Sequence, residues 1–255
     1  MRHIVAVCNQ KGGVGKTTTT YHLARAATQR GMRVLVVDLD PQANLTMIAA
    51  AQPVPRDELS MADVLSPRAG EAMVDVTVPG VWEGLEVAPA IEATLAAVRD
   101  ELVGISIGRE ARLRKALTGV RHDLVLIDCP PELGLLTING LAAATGAVVI
   151  SHAKLFSAQG TAGILDTITT VREHYNPGLR FAGVIINAHE PHTITGRERL
   201  EELRAAVPVI EPVIPKRAPI NDAAEASVGL DQWPGAGDLA AMYDQHLSTL
   251  IQEQP

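Results

Sequence analysis

The chain has 255 residues, 47% of them hydrophobic and only 3% aromatic, so a core built from Ala, Val, Leu and Ile is expected. That length suits one α/β domain over 1–255, with an irregular insertion around 53–92. The formal charge of −7 excludes wholesale coating of nucleic acid, but not a local basic patch.

Short apolar runs rich in Val and Ile come at His3–Asn9, Arg33–Asp38, Asp123–Asp128, Ala147–Ser151 and Arg180–Asn187, with Pro212–Ile214 as a shorter candidate. Uninterrupted runs of this kind suit strands covered on both faces. Helical patterns lie between them at Thr17–Gln29, Arg109–Leu117, Leu135–Ala144, Gln159–Tyr175, Thr195–Ala206 and Ala236–Gln252. The alternation predicts a doubly wound α/β fold, a mostly parallel sheet flanked by helices. The proline-rich stretch 53–92 predicts a small helix at Met61–Leu65 and two short strands, Val74–Val78 and Leu85–Ala88.

Cys8 and Cys129 each end an apolar run and read as core residues, not as a disulfide or zinc framework. No secretory leader is visible at Met1–Asn9, and no apolar stretch reaches the roughly 18 residues of a membrane span. A cytoplasmic protein is expected. Charge is uneven: Ala218–Pro255 has no Lys or Arg, yet carries Asp222, Glu225, Asp231, Asp238, Asp244 and Glu253. His189 and His192 flank Glu190-Pro191 and read as loop residues, not as a metal site.

The strongest signal is Lys11-Gly12-Gly13-Val14-Gly15-Lys16-Thr17-Thr18, between a strand pattern and a helix pattern. Glycines let a backbone turn aim several N–H groups at a phosphate, and the helix start adds its positive end. Lys16 is placed to reach the β and γ phosphates, and the Thr17 hydroxyl to bind Mg²⁺. Gln10 stands where the usual first glycine of a P-loop would be, followed by an additional lysine, Lys11. Two further strand patterns end in acids. One runs into Asp38-Leu39-Asp40-Pro41-Gln42-Ala43-Asn44, the other into Asp128-Cys129-Pro130-Pro131. Carboxylates at strand C-termini lie where α/β ligand sites form.

Lys11–Thr18 resembles the deviant Walker A box of the ParA/MinD ATPases, most closely the ParA partition ATPases. Residues 1–50 and 120–146 match closely, including Gly134–Asn139, whereas 52–108 match only in layout. The resemblance implies an ATP-dependent homodimer in which Lys11 reaches across to the partner's nucleotide. It implies that Asp40 orients the attacking water, that Asp38 supports the Mg²⁺ shell and that Asp128 holds Mg²⁺ through water. It suggests Asn187, at a strand end, and Pro215 as contacts to adenine.

The family's function would be DNA partition, in plasmid or chromosome segregation. The ATP dimer would ride non-specific DNA on the nucleoid, and a ParB-like centromere-binding protein would trigger hydrolysis and release. Lys216 and Arg217 are the candidate DNA contacts. Arg197, Arg199 and Arg204 read instead as a salt-bridged helix face, and Arg109, Arg112, Arg114, Lys115 and Arg121 as a solvated one. MinD relatives carry a basic amphipathic C-terminal helix. Here Asp238–Gln252 has Leu239, Met242, Leu247 and Leu250 on one side but an acidic or neutral polar face, so membrane binding is not expected.

Two departures put the DNA surface and cargo in question: the stretch Ser151–Gly160 and the acidic C-terminal region. With no helix-turn-helix before the first strand, sequence-specific operator binding is not expected. The alternatives are a positioning ATPase for a protein cargo or division site, and a P-loop metabolic ligase of amidoligase or dethiobiotin-synthetase type. An electron-transfer ATPase would need bridging cysteines, but Cys8 and Cys129 adjoin the nucleotide boxes.

Overall fold

The computed structural model describes residues 3–152, 158–190 and 193–252. Two features singled out in the sequence, residues 153–157 and His192, therefore lie outside the described residues. Among the described residues eight strands form one sheet. β1 (His3–Cys8) lies inside it, followed by α1 (Lys16–Gln29) and β2 (Val34–Asp38). Then come α2 (Asn44–Ala49), α3 (Met61–Leu65), the single turn α4 (Met73–Val76), β3 (Val78–Pro79) and β4 (Leu85–Ala88). α5 (Glu92–Val103) and α6 (Arg112–Ala116) lead into β5 (Leu124–Asp128), α7 (Leu135–Ala143) and β6 (Gly146–His152). The chain continues through α8 (Ala158–His174), β7 (Arg180–Asn187), α9 (Ile194–Ala206) and β8 (Val209–Ile210). It closes with α10 (Pro219–Glu225) and α11 (Gly237–Ile251).

The strand order is β3-β4-β2-β5-β1-β6-β7-β8. Every neighbouring pair is parallel except β3 with β4. The sheet is thus the mostly parallel, doubly wound one expected. The connection from β1 leads to the β2 side, while β5 crosses past β1 to β6. β1 therefore stands at the reversal of strand order, where open α/β sheets place their ligands.

Both faces are covered, as the unbroken apolar runs require. Along β1, Ile4, Ala6 and Cys8 join a core on one face, with Leu95, Leu113, Leu141 and Ile164 from the covering helices. Val5 and Val7 face the other way, into a core with Tyr21, Leu23, Leu239 and Tyr243. The alternation is that of a strand with a period of two.

Two elements differ from expectation. Pro212–Ile214 is not a strand; β8 is Val209–Ile210, and beyond it only an isolated bridge links His189 to Pro215. Pro212 has no N–H to donate to a ladder, which ends regular pairing there. Val74–Val78 is not a strand either: Met73–Val76 forms a helical turn, burying Met73 and Val76, and only Val78–Pro79 is extended. Three helices were not anticipated. α5 has its buried residues at Leu95, Val98 and Leu102, a helical spacing present in the sequence. α2 and α10 are too short for periodicity to reveal.

The acidic C-terminal region packs against α1. Asp231 accepts two hydrogen bonds from Arg25, at 2.9 and 2.7 Å. Asp244 pairs with Arg30 at 2.6 Å. The uneven charge of the sequence is therefore matched across an internal interface. Arg25 holds the Asp231 carboxyl below the usual carboxylate range. A carboxyl lowered in the folded state stabilises above its unfolded value and loses that contribution as pH falls through the folded one. Asp231→Asn is accordingly expected to cost about 1 kcal/mol at neutral pH. Urea unfolding of both proteins should show this gap at neutral pH and its shrinkage as pH falls below the ordinary carboxylate range; a gap independent of pH would exclude the ion pair as its source.

Candidate functional site

The loop after β1 has the shape a phosphate cradle needs. Gly13 and Gly15 adopt left-handed backbone angles, with φ of 71° and 87°. At Gly15 a side chain is doubly excluded, because a Cβ would lie 2.6 Å from Asn187 Nδ2. The space about Gly12 and Gly13 is open on the side where a Cβ would project. α1 starts at Lys16 without a side-chain cap, so its first N–H groups point toward the loop. Lys11 is exposed, while Lys16 is buried and donates from Nζ to the Lys11 carbonyl at 3.4 Å.

Register brings the acids to this loop. Asp128 pairs with Val7 of β1 on one side and with Asp38 of β2 on the other. Both carboxylates are buried. Asp128 Oδ2 accepts from the Thr17 hydroxyl at 2.7 Å, while Asp128 Oδ1 is buried with no hydrogen-bond partner among the described residues. Burial, and then the charge of Asp38, pushes the Asp128 carboxyl well above its ordinary range; Thr17 and Lys16 oppose this. Asp38 is pushed up to about 6 by burial, against hydrogen bonds from Thr46 and the Asp40 N–H.

Asp40 is only partly buried. It lies beside a cavity of about 150 Å³ walled in part by Pro41, Pro130, Pro131 and Leu135. Its Oδ1 accepts from the Gln42 N–H at 3.0 Å. The loop closes through Ala43, which adopts a left-handed φ of 55° before α2.

A second cavity, of about 230 Å³, adjoins the loop. Gly13–Gly15 and Thr18 form one wall; Asn187, Pro215, Lys216, Arg217 and Ile220 form much of the rest. Asn187 Nδ2 donates to the Val14 carbonyl at 3.2 Å and to Thr19 Oγ1 at 3.0 Å. Its Oδ1 is buried without a partner among the described residues. Asn187 and Pro215, paired in sequence reasoning only by resemblance, therefore meet at one cavity.

Lys216 and Arg217 also reach this rim, and both are engaged. Lys216 Nζ lies 3.3 Å from Glu190, and Arg217 pairs with Asp238. Arg199 pairs with Glu202, and Arg204 with Glu201 and Glu211, the salt-bridged face expected of α9. In the other basic group, Arg109 pairs with Glu110, Arg112 donates to the Ser66 carbonyl and Arg114 to that of Tyr175. That helix is tied into the fold more than the expected solvated face.

Sequence reasoning missed Thr46, and it set His152 aside as a metal ligand without placing it at this site. His152 lines the second cavity and stands in register with Asn187 on the next strand. Burial and the charges of Lys11 and Lys216 lower its pKa. The strand pattern ended one residue early, at Ser151, which hid it. Thr46 holds Asp38 and carried no signal, because its role depends on α2 folding back.

Among the described residues no helix is long and apolar enough to cross a membrane. A family profile described as an AAA domain matches residues 2–181. The sporulation initiation inhibitor protein Soj of Bacillus subtilis is 36% identical over 227 residues, covering 88% of this chain and 88% of that one. The chromosome partitioning protein ParA of Caulobacter vibrioides is 37% identical over 227 residues, covering 86% of this chain and 83% of that one. Among solved structures, a cobyrinic acid a,c-diamide synthase from Mycobacterium smegmatis, with bound ATP analogue and magnesium, superposes with a TM-score of 0.82. It is 32% identical, and the match covers 98% of this chain and 95% of that one. With its deviant phosphate loop at the strand-order reversal and relatives matched over most of its length, the chain belongs to the ParA/Soj family of P-loop ATPases.

Proposed function

We propose that the chain is one P-loop ATPase domain acting as an ATP-dependent dimerising switch for DNA partition, in plasmid or chromosome segregation. The observation that carries this reading is the meeting of Lys11–Thr18 with Asp38, Asp40 and Asp128 at one sheet edge. The likeness to Soj and ParA proteins over most of the chain supports the partition role.

Gly12–Thr18 would cradle the phosphates, with Lys16 on the β and γ groups. Thr17 and Asp128 would hold Mg²⁺, with Asp38 behind them. The unpartnered, buried Asp128 Oδ1 fits a hard cation. When bound, the ion neutralises charge on the transferring phosphoryl group. Asp40 would orient the attacking water from its partly open position, and Lys11 would reach the partner's nucleotide across a dimer. Asn187 Oδ1 is an unspent acceptor on the base-side cavity, matching the amino group of adenine.

Lys216 and Arg217 remain the candidates for non-specific DNA binding. In that role they exchange Glu190 and Asp238 for phosphate when the ATP dimer forms. A ParB-like activator would then stimulate hydrolysis and release the dimer from the nucleoid.

A second reading is an ATP-dependent ligase, favoured by the likeness to the structure described as a cobyrinic acid a,c-diamide synthase. Incubation with ATP, cobyrinic acid and a nitrogen donor, followed by mass spectrometry, separates the two: diamide product would support the ligase.

Two outcomes are expected of the switch. Asp40→Ala should bind ATP as the wild type does, yet release phosphate about a hundredfold more slowly or worse; undiminished turnover would remove Asp40 from the reaction. Wild type should bind unrelated duplex DNA with ATP but not ADP, and more weakly as salt rises. Arg217→Glu should reduce this binding uniformly across sequences and flatten the salt dependence by about one unit of log–log slope. If ATP dimerises the chain but DNA is ignored in every nucleotide state, a protein scaffold becomes the cargo.

A further inference from the structure

Thr46 lies on α2, six residues beyond Asp40, and is 5% exposed. Its backbone N–H and its hydroxyl both donate to Asp38 Oδ2, at 2.9 and 2.8 Å. The same hydroxyl accepts from the Ala90 N–H at 2.9 Å. A hydroxyl has one proton. With Ala90 filling an acceptor position, that proton is directed at Asp38, and the rotor has no competing buried acceptor among these partners.

The other carboxylate oxygen, Asp38 Oδ1, accepts from the Asp40 N–H at 3.1 Å. Thr46 thus fixes the plane of the Asp38 carboxylate, and that plane fixes the backbone from which the Asp40 side chain projects. The other bonds of the loop are Gln42 N–H to Asp40 Oδ1 at 3.0 Å and Ala43 N–H to the Asp40 carbonyl at 2.9 Å, both within the loop, and Leu39 N–H to the Asp128 carbonyl at 3.0 Å, across to β5. None of them orients Asp38 itself. The P-loop is held separately, by Asn9, Asn187 and α1.

We propose that Thr46 is a positioning residue for ATP hydrolysis, relaying the buried segment after β4 through Asp38 to Asp40. This rests on the reading of Asp40 given above. Since the phosphates are held by a different loop, loss of the relay affects turnover and spares nucleotide binding. Small misplacements of a reacting group are enough to slow a reaction held by geometry.

The test compares Thr46→Val, Thr46→Ala and Thr46→Ser with wild type and Asp40→Ala in steady-state ATP hydrolysis. Circular dichroism and thermal unfolding identify which variants fold. Val or Ala, whichever folds, should lose about ten- to a hundredfold in kcat, with KM for ATP within about twofold of wild type. Ser keeps the hydroxyl and should restore kcat to within about threefold of wild type. A hydroxyl-free variant with wild-type kcat overturns the proposal, as does a loss confined to KM. So does a folded Ser variant as slow as Val or Ala, since the methyl group would then be what matters. If Asp40→Ala hydrolyses ATP normally, the reading of Asp40 fails; if it is inactive while the hydroxyl-free variants are normal, only the role of Thr46 fails.

Discussion

Two buried carboxylates on adjacent parallel strands, Asp38 and Asp128, are the constraint around which the nucleotide site is arranged. Removing a carboxylate from water costs several kcal/mol unless hydrogen bonds or a cation compensate. Asp38 is compensated by three donors, from Thr46 twice and Asp40 once. Asp128 has Thr17 and the field of Lys16, but one oxygen is without a partner among the described residues. The uneven satisfaction separates the two: Asp38 is held as a structural anchor, and under the proposed function Asp128 is the carboxylate left to meet the cation.

That arrangement depends on register. A one-residue slip of β5 against β1 would turn Asp128 to the other face and bring the apolar positions of Val125 and Ile127 to the face it left. The two cores prevent this, because Val125 and Ile127 face one set of helices while Leu124 and Leu126 face the other. Apolar packing, which is non-directional, therefore aims a polar site. α1 connects the two levels: its first turn belongs to the phosphate loop, its buried face to the core, and its half-buried Arg25, with Arg30 at its C-terminal end, to the acidic C-terminal region.

Much of this was legible in the sequence because the motifs are local. Lys11–Thr18 and the acids at Asp38, Asp40 and Asp128 each sit where an apolar run stops, so strand-end placement followed from the same pattern that gave the strands. The cavity beside the loop was less legible. Its walls come from the P-loop, β6, β7 and the segment before α10, and no spacing rule joins Asn187 to Pro215. α5 was hidden for a different reason. Its periodicity is present at Leu95, Val98 and Leu102, but the prolines before it suggested irregular structure throughout. The acidic C-terminal region was the most misleading feature. It reads as a repulsive surface toward DNA, yet Asp231 and Asp244 are spent on α1.

What remains acidic beside the cavity bears on how a switch could work. Glu190 and Asp238 hold Lys216 and Arg217, and these pairs are substantially exposed to solvent. Exposed pairs are worth about 0–1 kcal/mol, so exchanging them for another anion costs little. A phosphate offers comparable charge-assisted bonds without the burden of a buried charge. The two cations are therefore poised for exchange, whereas Asp38 and Asp128 are fixed by burial and register. Under the proposed function this separates the molecule into a rigid centre that reads nucleotide and a rim whose ionic contacts can be redistributed. Because Lys216 and Arg217 line the same cavity as Gly13–Gly15, the redistribution can respond directly to what occupies the phosphate loop, with no long-range relay required.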